Sequence, residues 1–153
     1  MLGSLVIAAF LGALIAVDIA AYRSRRRFVR AENTFRCRAR FCGYPSAVWP
    51  RLSRRWSRPM WAAWDDDMLV IRRGPVSSRI IVLRASVSQG VYTLPAADVR
   101  RCGPHPVAVC LLVWDGSRIE VAASGDSRLA LVGPYLTAAV NDLPQAPVRR
   151  RQT

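Results

Sequence analysis

The chain has 153 residues, with 23 cationic side chains against 10 acidic ones, a net charge of +13 and an apolar fraction of 52%. That length holds one domain rather than two. The composition excludes a disordered chain, a multi-span transporter and a disulfide-dense secreted miniprotein. All the cations are arginine, and with alanine and valine so abundant this reads as the codon usage of a GC-rich genome.

Among the first 22 residues only Gly3, Ser4, Gly12 and Asp18 are not apolar. Residues 2–22 would make a helix of about 31 Å, which matches a hydrocarbon core of about 30 Å. A cleaved signal peptide would carry its basic residues before the apolar stretch. Here Arg23, Arg25, Arg26, Arg27 and Arg30 follow it. The positive-inside rule then predicts a single-pass protein of the cell (inner) membrane, amino terminus outside and main domain cytoplasmic. Asp18, one turn before Tyr22, can reach the interface or pair with those arginines. Ala8, Gly12, Ala16 and Ala20 form a small-residue stripe on which two such helices could pack as a homodimer, though alanine is common enough for chance to produce it.

The expected organisation is a transmembrane helix at 1–22, a basic juxtamembrane segment at 23–32, a cytoplasmic β-rich domain at 33–144 and a disordered basic tail at 145–153. In residues 34–41 Phe35, Cys37, Ala39 and Phe41 alternate with Arg36, Arg38 and Arg40, the period of a half-buried strand. Residues 60–64 and 68–72 flank Asp65-Asp66-Asp67, a hairpin with a three-residue acidic turn. Residues 79–85 are strand-like and 88–94 a weaker strand candidate. Residues 107–114 and 118–123 flank Asp115-Gly116, the strongest short hairpin signal in the chain. Leu129, Val132, Leu136, Val140 and Leu143 predict an amphipathic helix, with Pro134 either kinking it or marking its first turn, and Pro144 ending it. Six or seven antiparallel strands and one C-terminal helix predict a mainly-β (α+β) domain, a small barrel or curled sheet capped by that helix. That order is the layout of pleckstrin-homology-like (PH-like) domains.

An N-terminal anchor, a basic segment and then Asn33-Thr34-Phe35-Arg36-Cys37-Arg38-Ala39-Arg40 resemble the opening of a family of actinobacterial membrane proteins, domain of unknown function 2550. Arg118-Ile119-Glu120-Val121-Ala122-Ala123-Ser124, running into residues 129–136, is similar to that family's final strand and helix. The region around Trp61-Ala62-Ala63-Trp64 and residues 86–106 depart from its pattern. The resemblance implies an anchored inner-membrane protein and carries over no activity or site residue.

No catalytic constellation is legible. His105 lies between two prolines and no nucleophile motif accompanies it. Cys37, Cys42, Cys102 and Cys110 lack the tight pairs of a zinc site; Cys37 and Cys110 fall in apolar positions, where cysteine behaves as a small hydrophobe. Three adjacent aspartates lack the alternating spacing of a calcium loop. No catalytic, cofactor or metal residue is therefore expected, and no enzyme. The informative segment is Trp49, Trp56, Trp61 and Trp64 interleaved with Arg51, Arg54, Arg55 and Arg58. If residues 49–60 were helical, Trp49, Leu52, Trp56 and Met60 would share one face. Tryptophan and arginine suit the headgroup zone of a bilayer, so Arg23, Arg25, Arg26, Arg27, Arg30, Trp49, Arg51, Arg54, Arg55, Trp56 and Arg58 are candidate lipid-facing residues. The competing reading makes the tryptophans core and the arginines a solvated edge. The expected function is a tethered interaction or scaffold module with a basic face toward anionic phospholipid, or toward an acidic protein or peptide; nucleic acid fits less well, since no recognised module is present.

Overall fold

The structure, a computed structural model, describes residues 33–73 and 79–135 continuously, together with single helical positions between 13 and 28. Six strands, β1 (Phe35–Phe41), β2 (Met60–Asp65), β3 (Met68–Arg73), β4 (Arg79–Thr93), β5 (Pro106–Val113) and β6 (Arg118–Ser124), form a closed antiparallel barrel. The closure is β6 returning to β1 over five pairs, from Cys37↔Ala123 to Phe41↔Ile119. It leaves no free edge along these residues for unwanted pairing. Alternation explains the interior: Phe35, Leu69, Ile71, Leu83, Leu111 and Val121 all point inward and are essentially inaccessible.

The β2–β3 turn is shorter than the sequence suggested. Asp65 pairs with Met68 and so ends β2, leaving Asp66-Asp67 as the turn. Asp66 takes a positive φ of 51°, which aspartate tolerates better than most side chains. After β5, Trp114 leaves the strand and is 78% exposed, and Gly116 supplies the positive φ of the turn.

The two strands expected over 79–94 are one. β4 has 15 residues: 79–84 pair with β3 and 85–93 with β5, with register shifts at Val87/Gln89 and Gln89/Tyr92. Those irregularities let one strand bend from one wall of the barrel to the next. The described residues accordingly form six strands. A short helix, α1 (Ala96–Cys102), follows in a stretch that the sequence pattern left unassigned. It buries none of its own residues, so it carries no hydrophobic periodicity to detect.

At the C-terminal end a 3₁₀ turn (Gly125–Ser127) leads into α2 (Arg128–Val132), which drops Leu131 and Val132 into the barrel. Gly133, at φ 56°, ends it with an N–H to Leu129 O bond of 3.0 Å, immediately before Pro134. The described helix thus stops short of the proline expected inside it; residues 136–143 and the tail 145–153 lie outside the described residues.

β5 is buried on both sides. Its outward residues Ala108 and Cys110 join Trp56, Tyr92, Leu94 and Ala122 in a second, smaller apolar cluster on the outside of the barrel. The loop 42–59 and α1 cover that side.

Candidate functional site

Residues 49–59 are not helical. Trp49 and Leu52 belong to the main core, and Trp56 to the outer cluster. At 3% and 9% exposure, Trp49 and Trp56 cannot be lipid-facing, which corrects the expectation for those two residues. The reason is the path of the backbone. The chain returns along β1, with Ser57 N–H bonded to Ala39 O at 2.9 Å and Phe41 N–H to Ser53 O at 3.2 Å. That path carries Trp49 into the main core and lays Trp56 on the outer cluster, where burying each ring stabilises by a few kcal/mol.

The arginines of the same loop behave oppositely. Arg51, Arg54, Arg55 and Arg58 are exposed. Arg54 lies 5.8 Å over the Phe41 ring, and Arg38 donates to Ser57 O at 2.7 Å. Ser46 Oγ and Ala47 N–H both bond Asp115 Oδ2, at 2.7 and 3.0 Å, and tie the start of the loop to the β5–β6 turn. Slight burial pushes the Asp115 carboxyl up, but hydrogen bonds from the Ser117 and Ser46 hydroxyls and the Ser117 N–H outweigh it and hold it below the ordinary carboxylate range. No acidic residue occurs from 33 to 64, so the loop is a firmly anchored, uniformly basic surface. Of the other candidates, Arg23 is an exposed helical position. Arg25, Arg26, Arg27 and Arg30 lie outside the described residues.

Beneath Trp56 is an arrangement that sequence reading missed. Arg40, expected to be solvated, is 9% exposed; its Nε donates to Glu120 Oε2 and its Nη1 to Asp98 Oδ2 at 2.9 Å. Tyr92 Oη donates to Glu120 Oε1 at 2.6 Å, Cys42 Sγ to Oε2 at 3.4 Å, and the guanidinium lies 4.2 Å from the Trp56 ring centroid. Burial pulls the Arg40 pKa down, yet the two carboxylates more than offset it and keep the cation charged. Burial, with the Glu120 charge beside it, keeps Tyr92 protonated as a donor and pushes the Cys42 thiol up to about 12. The one sequence signal was Glu120 standing alone in an apolar strand, directly opposite Arg40 in the β1–β6 register. Chemically the cluster is a lock in which both Glu120 oxygens are hydrogen-bonded and the Arg40 cation is met by two carboxylates. It pins α1 through Asp98 and holds the loop through Trp56 and Cys42.

The remaining chemistry-bearing residues are not brought together. His105 sits exposed in the turn before β5. The four cysteines are free thiols, with Cys37 buried and its pKa pushed up to about 12 by that burial. Among the described residues no group of His, Cys, Asp and Glu side chains is placed to hold a metal ion.

Most of the apolar run at 2–22 lies outside the described residues, Asp18 included. Its described positions, Ala13, Ile15, Ala16, Ile19, Ala20 and Tyr22, are helical, and no helix among the described residues is long and apolar enough to cross a membrane. Further along, Phe28 O accepts a 2.6 Å hydrogen bond from Thr34 Oγ1, and the Phe28 ring lies 4.5 Å under the Arg72 guanidinium of β3. Phe28 is thus seated at β3, whereas the basic loop runs over β1 and β6.

No family model, curated protein or solved structure matches this chain.

Proposed function

We propose that the protein is a single-pass, membrane-anchored interaction module. A PH-like domain stands on the cytoplasmic side and presents the basic loop 51–58 to an acidic partner. The observation that carries this reading is the set of exposed arginines Arg51, Arg54, Arg55 and Arg58 on a loop fastened by buried Trp49, Leu52 and Trp56. Fixed cations of one sign, held without competing acids, attract an anionic surface at little entropic cost. The apolar run 2–22 and the arginines that follow it support the anchor and its direction.

Between a protein and a lipid as ligand of the loop, the geometry favours an acidic protein or peptide. The loop rings that would enter a headgroup layer are buried, and the loop covers β1 and β6 rather than the β3 face on which Phe28 is seated. The test uses the full chain in nanodiscs of phosphatidylcholine alone, titrated with poly-glutamate and, separately, with phosphatidylglycerol vesicles. Salt-sensitive binding of poly-glutamate that is lost when the four arginines become glutamine supports the reading. Binding unchanged by those substitutions overturns it, and preference for the vesicles assigns the loop to lipid. A C-terminal reporter active only outside the cytoplasm would reverse the orientation.

A further inference from the structure

The outer face of β2, β3 and β4 carries a second surface that neither the core nor the basic loop uses. Strand registers place Arg36, Trp61, Arg72 and Ile80 in one row across β1–β4. The next row is Ala63, Val70 and Val82, and the third Asp65, Met68 and Arg84. Adjacent strands are about 4.8 Å apart, so these side chains form one continuous patch. Ile80 is 49%, Val82 44% and Met68 36% exposed, with Trp61, Ala63 and Val70 half-buried between them. A sheet face turned to water normally shows polar side chains at these positions.

We propose that this face rests on the surface of an anionic bilayer, with Trp61, Ile80 and Val82 in the headgroup zone and the exposed Arg36 against phosphates. The proposal rests on the reading that residues 2–22 span the membrane. Two observations favour lipid over a second copy of the chain. Phe28 is seated on Arg72, at the margin of the patch, only six residues after Tyr22. Six residues reach at most about 22 Å even fully extended, so the end of the apolar run is held beside this face. The charge is also graded along it. Arg36 and Arg72 share the row next to Phe28, while Asp65, Asp66 and Asp67 stand at the opposite end, where Asp67 pairs with Arg84 at 2.7 Å. The domain is thus tilted, basic row inward and acidic turn away from the phosphates. Tryptophan beside arginine, flanked by exposed aliphatics, is the composition that interfacial contact selects.

Full-length protein in nanodiscs of phosphatidylcholine and phosphatidylglycerol (three parts to one), with brominated acyl chains, provides the test. Bromine quenches indole fluorescence only near the bilayer. The expected result is quenching that disappears in Trp61→Phe but persists in Trp114→Phe, and that is lost in the exposed-surface variant Ile80→Asp/Val82→Asp, whose folding is checked by near-ultraviolet circular dichroism. In pure phosphatidylcholine, Arg36→Gln leaves the signal unchanged, whereas in the anionic bilayer it lowers it. Quenching indifferent to Trp61, or to the Ile80/Val82 pair, in a protein that resists carbonate extraction overturns the docking while leaving the anchor intact. Release by carbonate overturns the anchor itself. Self-association abolished by Ile80→Asp/Val82→Asp, without Trp61 quenching, reassigns the face to a second copy.

Discussion

Glu120 occupies both its oxygens with three donors, Arg40, Tyr92 and Cys42, on the outside of a barrel wall where the strand pattern promised solvent. Removing one member of such a buried pair leaves the other charge without its counterpart. Glu120→Ala is expected to cost about 3–5 kcal/mol, read as a fall in the denaturant midpoint. Trp56 gives a contrasting expectation, because its indole Nε1 is buried with no hydrogen-bond partner. Trp56→Phe keeps the apolar cover and removes that donor, so it should change stability by less than about 1 kcal/mol, whereas Trp56→Ala should cost about 3–5 kcal/mol. A large loss in Trp56→Phe would show that the ring nitrogen does have a partner. Gly133 is constrained twice over: its φ is 56°, and a Cβ would fall on the Trp64 indole ring. Gly133→Ala is expected to lower stability by about 2–4 kcal/mol and to blue- or red-shift the Trp64 emission as its ring is displaced.

At the scale of elements, the C-terminal plug is held by side chains rather than by helix length. Trp64 Nε1 donates to Leu131 O at 3.0 Å, Tyr135 Oη donates to Ala85 O at 3.0 Å, and the two rings meet edge-to-face at 5.7 Å. A five-residue helix has no stability of its own, so burial of Leu131 and Val132 must supply it. Leu131→Ala should therefore cost about 2–5 kcal/mol and raise hydrogen exchange at α2 before it does so in β5 or β6. Exchange rising uniformly over the barrel would instead make the plug part of one cooperative unit. The loop 42–59 follows the same logic. Its path is legible in the spacing of Trp49, Leu52, Trp56 and Met60, all of which are buried, but the spacing suits a helix as well as it suits an irregular cover. Periodicity reports which side chains seek burial and not which backbone delivers them.

For the molecule as a whole, stability should be flat at intermediate pH and fall at both ends. The buried Cys37 thiol and the half-buried Cys42 thiol have pKa values raised to about 12, and Cys102 to about 11, from an ordinary 9.0. Above pH 9 the unfolded chain releases those protons while the folded one retains them, so stability declines as pH rises. Asp115 acts in the other direction: its carboxylate is favoured in the fold, so its contribution is complete above about 3.8 and is lost as pH falls through its lower folded value. Chemical denaturation from pH 2 to 11 checks both limbs, and Asp115→Asn should remove part of the acidic one. Iodoacetamide at pH 8 should leave Cys37 unmodified in the native protein and label it on unfolding.

The sequence by itself determined the mainly-β class, five of the six strands to within a residue or two, the two hairpins and the C-terminal helix start, because alternation and turn chemistry act between near neighbours in the chain. It also located the excess charge, twelve arginines against one acid over residues 23–58. Only the tertiary structure decided that Trp49 and Trp56 are cover rather than contact, that β4 is one bent strand, that α1 exists, and that Arg40 and Glu120 form a buried pair across 80 residues of chain. Each of those depends on which face of a closed barrel a distant segment happens to cover. Burial of that kind is a property of the packed surface, and no local period encodes it.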